Sequence, residues 1–364
     1  MRLAIISALL LTSGLAHADI ELAMVGPMTG SDATHGEQLR DGAQQAVDDL
    51  NAHGGLLGQK LHLSINDDAC DPKQAVAIAN QLASHPPAVV IGHFCSSTSI
   101  PASSVYNDEG ILEISPGSTN PKLTENGYWN VFRTCGRDDQ QGEVAGKDIV
   151  KLFPGKRIAI VHDRQTYSQG LADETRKTLV AAGVKPAMDD TITPGEKDYS
   201  ALIAKLKQNT IDVLYYAGYP VEAGSILRQM RDQGLKTDMV SGDGIVSRDF
   251  WAITGPAGEG AMMTFAPDPT KDPKNAGIVE RLKAANRLTD GYPLFSYAAV
   301  QVWADAVTKA GSTDAKKVAA ELHKDTYDTA RGRVKFDAKG DVEGSNYVLY
   351  RWHDGAYAEL DPQP

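Results

Sequence analysis

Basic charge is scarce in this sequence and nowhere forms a tract. Against 47 Asp and Glu stand 36 Lys and Arg, a formal net charge of -11. That balance argues against nucleic acid or an anionic membrane surface as the partner. Cysteine is scarcer still, with three residues. They and the histidines lack the fixed spacing that a zinc site needs, so no metal is expected. There is no G-x-S-x-G nucleophile elbow, no short repeat and no low-complexity tract. Beyond the N-terminal segment, no run approaches the roughly twenty apolar residues of a membrane helix.

What is present begins with Arg2, an apolar stretch from Leu3 to Leu11, and the small-x-small pattern Ala16-His17-Ala18. This predicts a secretory signal peptide spanning 1–18, removed after Ala18. The roughly 345 residues that remain exceed what one core usually organises, so two domains are expected. In an oxidising compartment two of Cys70, Cys95 and Cys135 should bridge. Cys70 follows the strand-like "KLHLSI" and Cys95 follows "AVVIGHF". If those strands are sheet neighbours their ends lie side by side, which favours Cys70–Cys95 and leaves Cys135 free.

Strand-like and helix-like stretches alternate through most of the chain. "IELAMVG" precedes a helix with Leu39, Ala43, Ala46, Val47 and Leu50 on one face, ended by Gly54-Gly55. "DPKQAVAIANQLASH" opens with Asp71 as N-cap and Pro72 at the first helical position. Later strands are expected in "AVVIGHF", "ILEISPG", "RIAIVHD", "IDVLYYAG", "DMVSGDG" and "GAMMTFAPDP". This rhythm predicts an α/β fold of right-handed parallel crossovers with helices on both sheet faces. It starts twice, once at Ile20 and again near "QGEVAGKDIVKLFPGKRIAIVHD", which implies two similar lobes around a cleft. The apolar helix "YPLFSYAAVQVWADAVTKAG" belongs to neither series in order, and "GRVKFDAKGDVEGSNYVLYRWHDG" reads as two strands joined by a Gly/Asp-rich connection.

Ligands of open α/β sheets bind at the carboxyl ends of the strands. Two such ends here are rich in hydroxyls: Ser96, Ser97, Thr98 and Ser99 in "GHFCSSTS", and Ser118 and Thr119 in "ISPGSTNPK". Unpaired N–H groups at helix N-termini and neutral hydroxyls together can hold a carboxylate without an arginine. Ordinary serine N-capping is the plain alternative. A nucleophilic role fits less well, because Cys95 is better used in a disulfide and His93 lies within an apolar strand, where a hydrogen-bonded core histidine is the commoner outcome. In the second half Asp243 stands between two glycines at a strand end, suited to a ligand ammonium. Tyr167 and Tyr219 occupy comparable strand-to-helix turns and offer an apolar wall with a hydroxyl.

The stretches "DDACDPKQAVA", "IGHFCSSTS", "PASSVYNDEGIL", "RIAIVHD", "PGEKDYSALIAKLK" and "ILRQMRDQGLKT" are spread over essentially the whole chain. On them the sequence resembles the periplasmic leucine/isoleucine/valine-binding proteins, type I substrate-binding subunits of amino-acid ABC transporters. The resemblance implies two mostly parallel α/β lobes joined by three hinge crossovers, near Thr134–Arg137, Phe265–Pro269 and Gly340–Ser345. Its lobes would comprise 19–135 with 268–342, and 136–267 with 343–364. It implies that Ser96 and Thr119 hold a ligand carboxylate, that the Gly117 carbonyl meets the amino group, and that Tyr167, Tyr219 and Asp243 close from the other lobe. The family's disulfide matches Cys70–Cys95. No cofactor and no bond-breaking step is implied; the partners would be a small amino acid and a membrane permease, the protein a periplasmic monomer.

Three positions depart from the family pattern. His35 stands where an aromatic residue is usual, Phe94 replaces an aliphatic pocket residue, and Asp243 replaces glutamate. Phe94 fills volume that Gly117 and the shorter Asp243 partly return. Relatives with phenylalanine at this place look suited to small or unbranched ligands such as 4-aminobutyrate. Phe295 and Tyr297, in "LFSYAAVQ", are expected to close the same pocket. Two other readings are a sensory receptor of the same fold and an exported amide hydrolase using Ser96.

Overall fold

The computed structural model describes residues 19–344 and 346–360. The predicted signal peptide, 1–18, lies outside the described residues, as do Ser345 at the end of the third expected crossover and residues 361–364. The first strands are β1 (Ile20–Gly26), β2 (Leu61–Asp67), β3 (Val89–Gly92), β4 (Glu113–Ser115) and β5 (Val131–Arg133). They form one parallel sheet in the order β2-β1-β3-β4-β5. Every residue of β3 is buried, which is why it reads as a continuous apolar run rather than an alternating one.

A second sheet takes β6 (Ile158–His162), β7 (Met188–Thr191), β8 (Val213–Ala217), β9 (Asp238–Ser241) and β10 (Met262–Phe265). A separate hairpin pairs β11 (Thr326–Thr329) with β12 (Gly332–Lys335). The last strands, β13 (Val348–His353) and β14 (Ala356–Glu359), join the second sheet antiparallel, giving the order β14-β13-β10-β9-β8-β6-β7. The two late strands expected around the Gly/Asp-rich connection therefore go to different sheets. Their connection carries the chain from one body to the other.

The helix Pro293–Ala310, which has no place in either series, packs on the helix Ala33–Ala52 of the first body. Its Ser296 hydroxyl donates to the Leu39 carbonyl at 2.7 Å, and Val300 and Trp303 are fully buried beneath it. The chain thus passes between the bodies three times: after β5, after β10 and before β13. Asp71 caps its helix as expected, accepting from the Lys73 and Gln74 N–H groups at 2.8 and 3.0 Å. No helix among the described residues is long and apolar enough to cross a membrane.

Cys70 and Cys95 form a disulfide with their Cα atoms 5.6 Å apart, and Cys135 is free and buried. The neighbouring-strand premise for that pairing needs correction, because β1 lies between β2 and β3. The loop after β2 instead folds over the end of β1. Asp68 N–H donates to the Gly26 carbonyl at 3.1 Å, Asp67 Oδ1 accepts from Met28 N–H at 2.8 Å, and Ala69 and Cys70 turn through positive φ. This bridge closes a loop with a sequence separation of 25. Opening it should cost about 3 kcal/mol, so thermal melts with and without reductant are expected to differ by roughly 4 °C. Coincident melts would mean that the bridge contributes nothing.

Candidate functional site

The carboxyl ends of both sheets face one narrow cavity lined by Phe94, Ser96, Gly117 and Tyr292 from the first body and Tyr167, Tyr219, Asp243 and Gly244 from the second. Its empty volume is about 200 Å³. So narrow a space means that the bodies are closed on one another, and they must part to admit a solute.

Ser96 is the first residue of the helix Ser96–Glu109, with Cys95 as the extended residue before it. Pro101 sits in the second turn of that helix rather than at its start. The Ser96 hydroxyl accepts from Asn120 N–H at 3.3 Å, tying the two hydroxyl-rich turns together. Gly117 lies across from Phe94, and a Cβ there would sit 2.5 Å from the phenylalanine ring. The bulk of Phe94 therefore depends on the absence of a side chain at 117.

Asp243 opens the turn after β9 and is 2% exposed. Its Oδ1 accepts from the Tyr167 hydroxyl at 2.8 Å and its Oδ2 from the Tyr292 hydroxyl, also at 2.8 Å. Tyr167 in turn accepts from Gly244 N–H at 2.9 Å. Burial raises the Asp243 pKa, and the hydrogen bonds from the two phenols work against that rise. Tyr292 was not singled out from the sequence. Its only signal is its place before Pro293 at the start of the late helix, and nothing local says that this helix end reaches the cleft.

The remaining predicted residues divide clearly. Tyr219 lines the cavity with its ring 5.3 Å from that of Tyr167. His35 stacks on Phe94 at 4.3 Å between ring centroids, behind the cavity wall. Burial lowers its pKa to about 3, so it is a neutral ring in an aromatic layer. Ser118 and Thr119 are buried but do not line the cavity. The Ser118 hydroxyl is spent on the Phe94 carbonyl at 2.9 Å, and the Thr119 carbonyl accepts from Asp138 N–H at 2.9 Å. Phe295 packs on Phe265 and Tyr292 in the layer beneath the cavity. Tyr297 does not close the pocket: its hydroxyl donates to Asp49 at 2.7 Å. Two residues along a helix from Phe295 it points to another side. His93 is the core histidine expected, with one ring nitrogen 2.6 Å from Asp68 and the other 3.0 Å from the Tyr106 hydroxyl.

Further carboxylates meet where the bodies touch. Burial, with the Glu222 and Asp163 charges, raises Asp32 to about 7 against the Ser31 hydroxyl bond that lowers it; Asp249 adds a smaller push. Burial likewise raises Asp163 to about 6. A carboxyl whose folded pKa exceeds its unfolded one holds its proton more tightly when folded. Stability from Asp32 therefore grows as pH falls from about 7 toward 4 and is lost as pH rises through 7. The melting temperature is expected to be roughly 5 °C higher at pH 5 than at pH 8, and Asp32→Asn should flatten that slope. A slope unchanged by the substitution would exclude Asp32 as its source.

The periplasmic binding protein family model matches residues 19–356. A Leu/Ile/Val-binding protein homolog 1 of Brucella melitensis is 48% identical over 352 residues, covering 96% of this chain and 95% of that one. An amino acid binding protein of Pseudomonas aeruginosa is 45% identical over 359 residues, covering 98% and 96%. Among solved structures, a leucine binding protein from Thermotoga maritima superimposes with a TM-score of 0.87 at 26% identity, covering 94% of this chain and 98% of its own.

Proposed function

The chain belongs to the periplasmic leucine/isoleucine/valine-binding proteins, and from that premise we propose that it captures an aliphatic amino acid by closing its two bodies and delivers it to an ABC transporter permease. The observation that carries this is the division of the cavity's polar groups. Ser96 stands on the first body and Asp243 on the second, with aromatic walls from both. A zwitterion has one charge for each. In the open form the carboxylate meets Ser96, the N–H groups of its helix terminus and Thr119. Closure then brings Asp243, Tyr167 and Tyr219 onto the ammonium and sets Asp243 against the Tyr292 phenol of the first body, while the Gly117 carbonyl accepts a second ammonium hydrogen. Because neither body alone satisfies both charges, the ligand binds the closed form better, which is what ligand-driven closure requires.

No step of this reading breaks a bond. The hydrogen bonding around His93 supports a binder rather than a hydrolase, since both ring nitrogens face Asp68 and Tyr106. Export through a cleaved signal peptide, a periplasmic location and a monomeric state belong to the same proposal. So does a preference for a small or unbranched solute, such as 4-aminobutyrate, over leucine. Phe94 stands in the cavity wall, where Gly117 makes room for its ring, and so narrows the space left for a ligand side chain.

Titration calorimetry tests the site. Ser96→Ala and Thr119→Ala should each weaken binding by about 1–3 kcal/mol. Asp243→Ala should weaken it more, because it strands a buried ammonium and two phenols. Unchanged affinity in all three variants would remove the site. The same titrations across leucine, isoleucine, valine, alanine and 4-aminobutyrate should show that Phe94→Leu moves preference toward the branched ligands by about tenfold, the effect of one or two methylenes of pocket space. An unaltered ranking would mean that Phe94 does not set ligand size.

A further inference from the structure

Arg133 is fully buried at the end of β5, one residue before the chain leaves the first body. Its Nη1 donates to two main-chain carbonyls, Ser118 at 2.8 Å and Asn120 at 3.0 Å, which flank Thr119. Its Nη2 donates to the Thr124 hydroxyl at 2.7 Å, and its Nε lies 2.6 Å from Asp341 Oδ1. Asp341 belongs to the third crossing between the bodies. The Gly340 carbonyl before it accepts from Arg133 N–H at 3.0 Å, and a Cβ at Gly340, whose φ is +93°, would sit 2.1 Å from the Val131 carbonyl oxygen. The other Asp341 oxygen, Oδ2, accepts from Arg137 Nη1 at 2.6 Å. Arg137 is the residue that caps the helix Asp138–Leu152, the first element of the second body, and that helix's leading N–H holds the Thr119 carbonyl.

One buried carboxylate therefore joins two of the three crossings, and through Arg133 it reaches the backbone around Thr119. We propose that Arg133 and Asp341 are positioning residues that couple rotation at the hinge to the shape of the Ser118–Asn120 turn. Moving the second body displaces Arg137, which shifts Asp341, and the guanidinium between them cannot follow without moving both carbonyls it grips. The shape of the turn, and of the Ser96 hydroxyl that accepts from its Asn120 N–H, therefore differs between the open and the closed arrangement. A guanidinium is needed for this, since an ammonium has three donors in all for the three hydrogen-bonded partners and the paired carboxylate. The proposal rests on the binding function stated above and adds to it the means by which closure and capture become one event.

Calorimetry and small-angle scattering on the full protein, with leucine and 4-aminobutyrate as probes, test it. Wild type should bind one of them and contract at saturation. Arg133→Lys and Asp341→Asn should remain folded by circular dichroism, bind about tenfold more weakly, a 1.4 kcal/mol change, and contract less when saturated. In the Asp341→Asn background, Thr119→Ala should add little further loss, while Ser96→Ala should keep most of its own cost, a non-additivity that general destabilisation does not produce. Should Arg133→Lys fail to fold, Arg137→Gln replaces it, its side chain lying nearer the surface. Folded variants that bind and contract like wild type, or full additivity of Asp341→Asn with Thr119→Ala, would overturn the coupling. A wild type that binds neither probe and does not contract would instead overturn the function it rests on.

Discussion

A carboxylate held between phenols from opposite halves of the molecule is the contact on which the closed arrangement depends. Asp243 is buried on the second body, and the first body supplies Tyr292 to one of its oxygens while the second supplies Tyr167 to the other. A buried carboxylate left without donors would cost several kcal/mol. The Tyr167 hydroxyl offsets part of that cost within the second body, whereas the Tyr292 hydroxyl does so only while the bodies are together. A ligand ammonium completes what they begin, so the group that recognises the ligand also rewards closure.

The first body is built to hold still around the opposite end of the ligand. The disulfide and the Asp68–His93–Tyr106 set brace the segment that leads to Ser96. The Ser115 hydroxyl donates to the His93 carbonyl at 2.7 Å and accepts from Ser118 N–H at 3.0 Å, so successive strand ends share hydrogen bonds. Such a frame leaves few ways for the two turns to move except together, through the crossings. Contacts made directly across the cleft include hydrogen bonds, such as Gln38 to the Val246 carbonyl at 3.1 Å and Asn120 to the Thr166 carbonyl at 2.9 Å, and aromatic packing, such as Phe265 on Tyr292. They are individually small and reversible.

Much of the fold was legible because its strands are buried on both faces and its helices are punctuated. The long strands, the Asp71-Pro72 start and the late apolar helix all carry local signals. The strands β5 and β7 do not, being three and four residues long, and β7 has a single apolar residue, Met188, beside two acids. In the cavity, Ser96, Gly117, Tyr167, Tyr219 and Asp243 sit at strand ends, where sequence reading looks first. Ser118 carries the same signal, yet its hydroxyl is turned onto a carbonyl, because one short side chain in a tight turn serves the nearest acceptor.

The chain's own pattern determined an acidic two-bodied α/β protein and the turns from which recognition is built. These follow from local periodicity, composition and residue chemistry, which act over a few residues. Only the tertiary structure decided that Tyr292 completes the Asp243 site, that Tyr297 faces away from it, that β1 separates the strands bearing the disulfide, and that Asp341 meets Arg133. Each of these pairs residues far apart in the chain or on one side of a helix, and such pairings are settled by packing, where no local preference reaches.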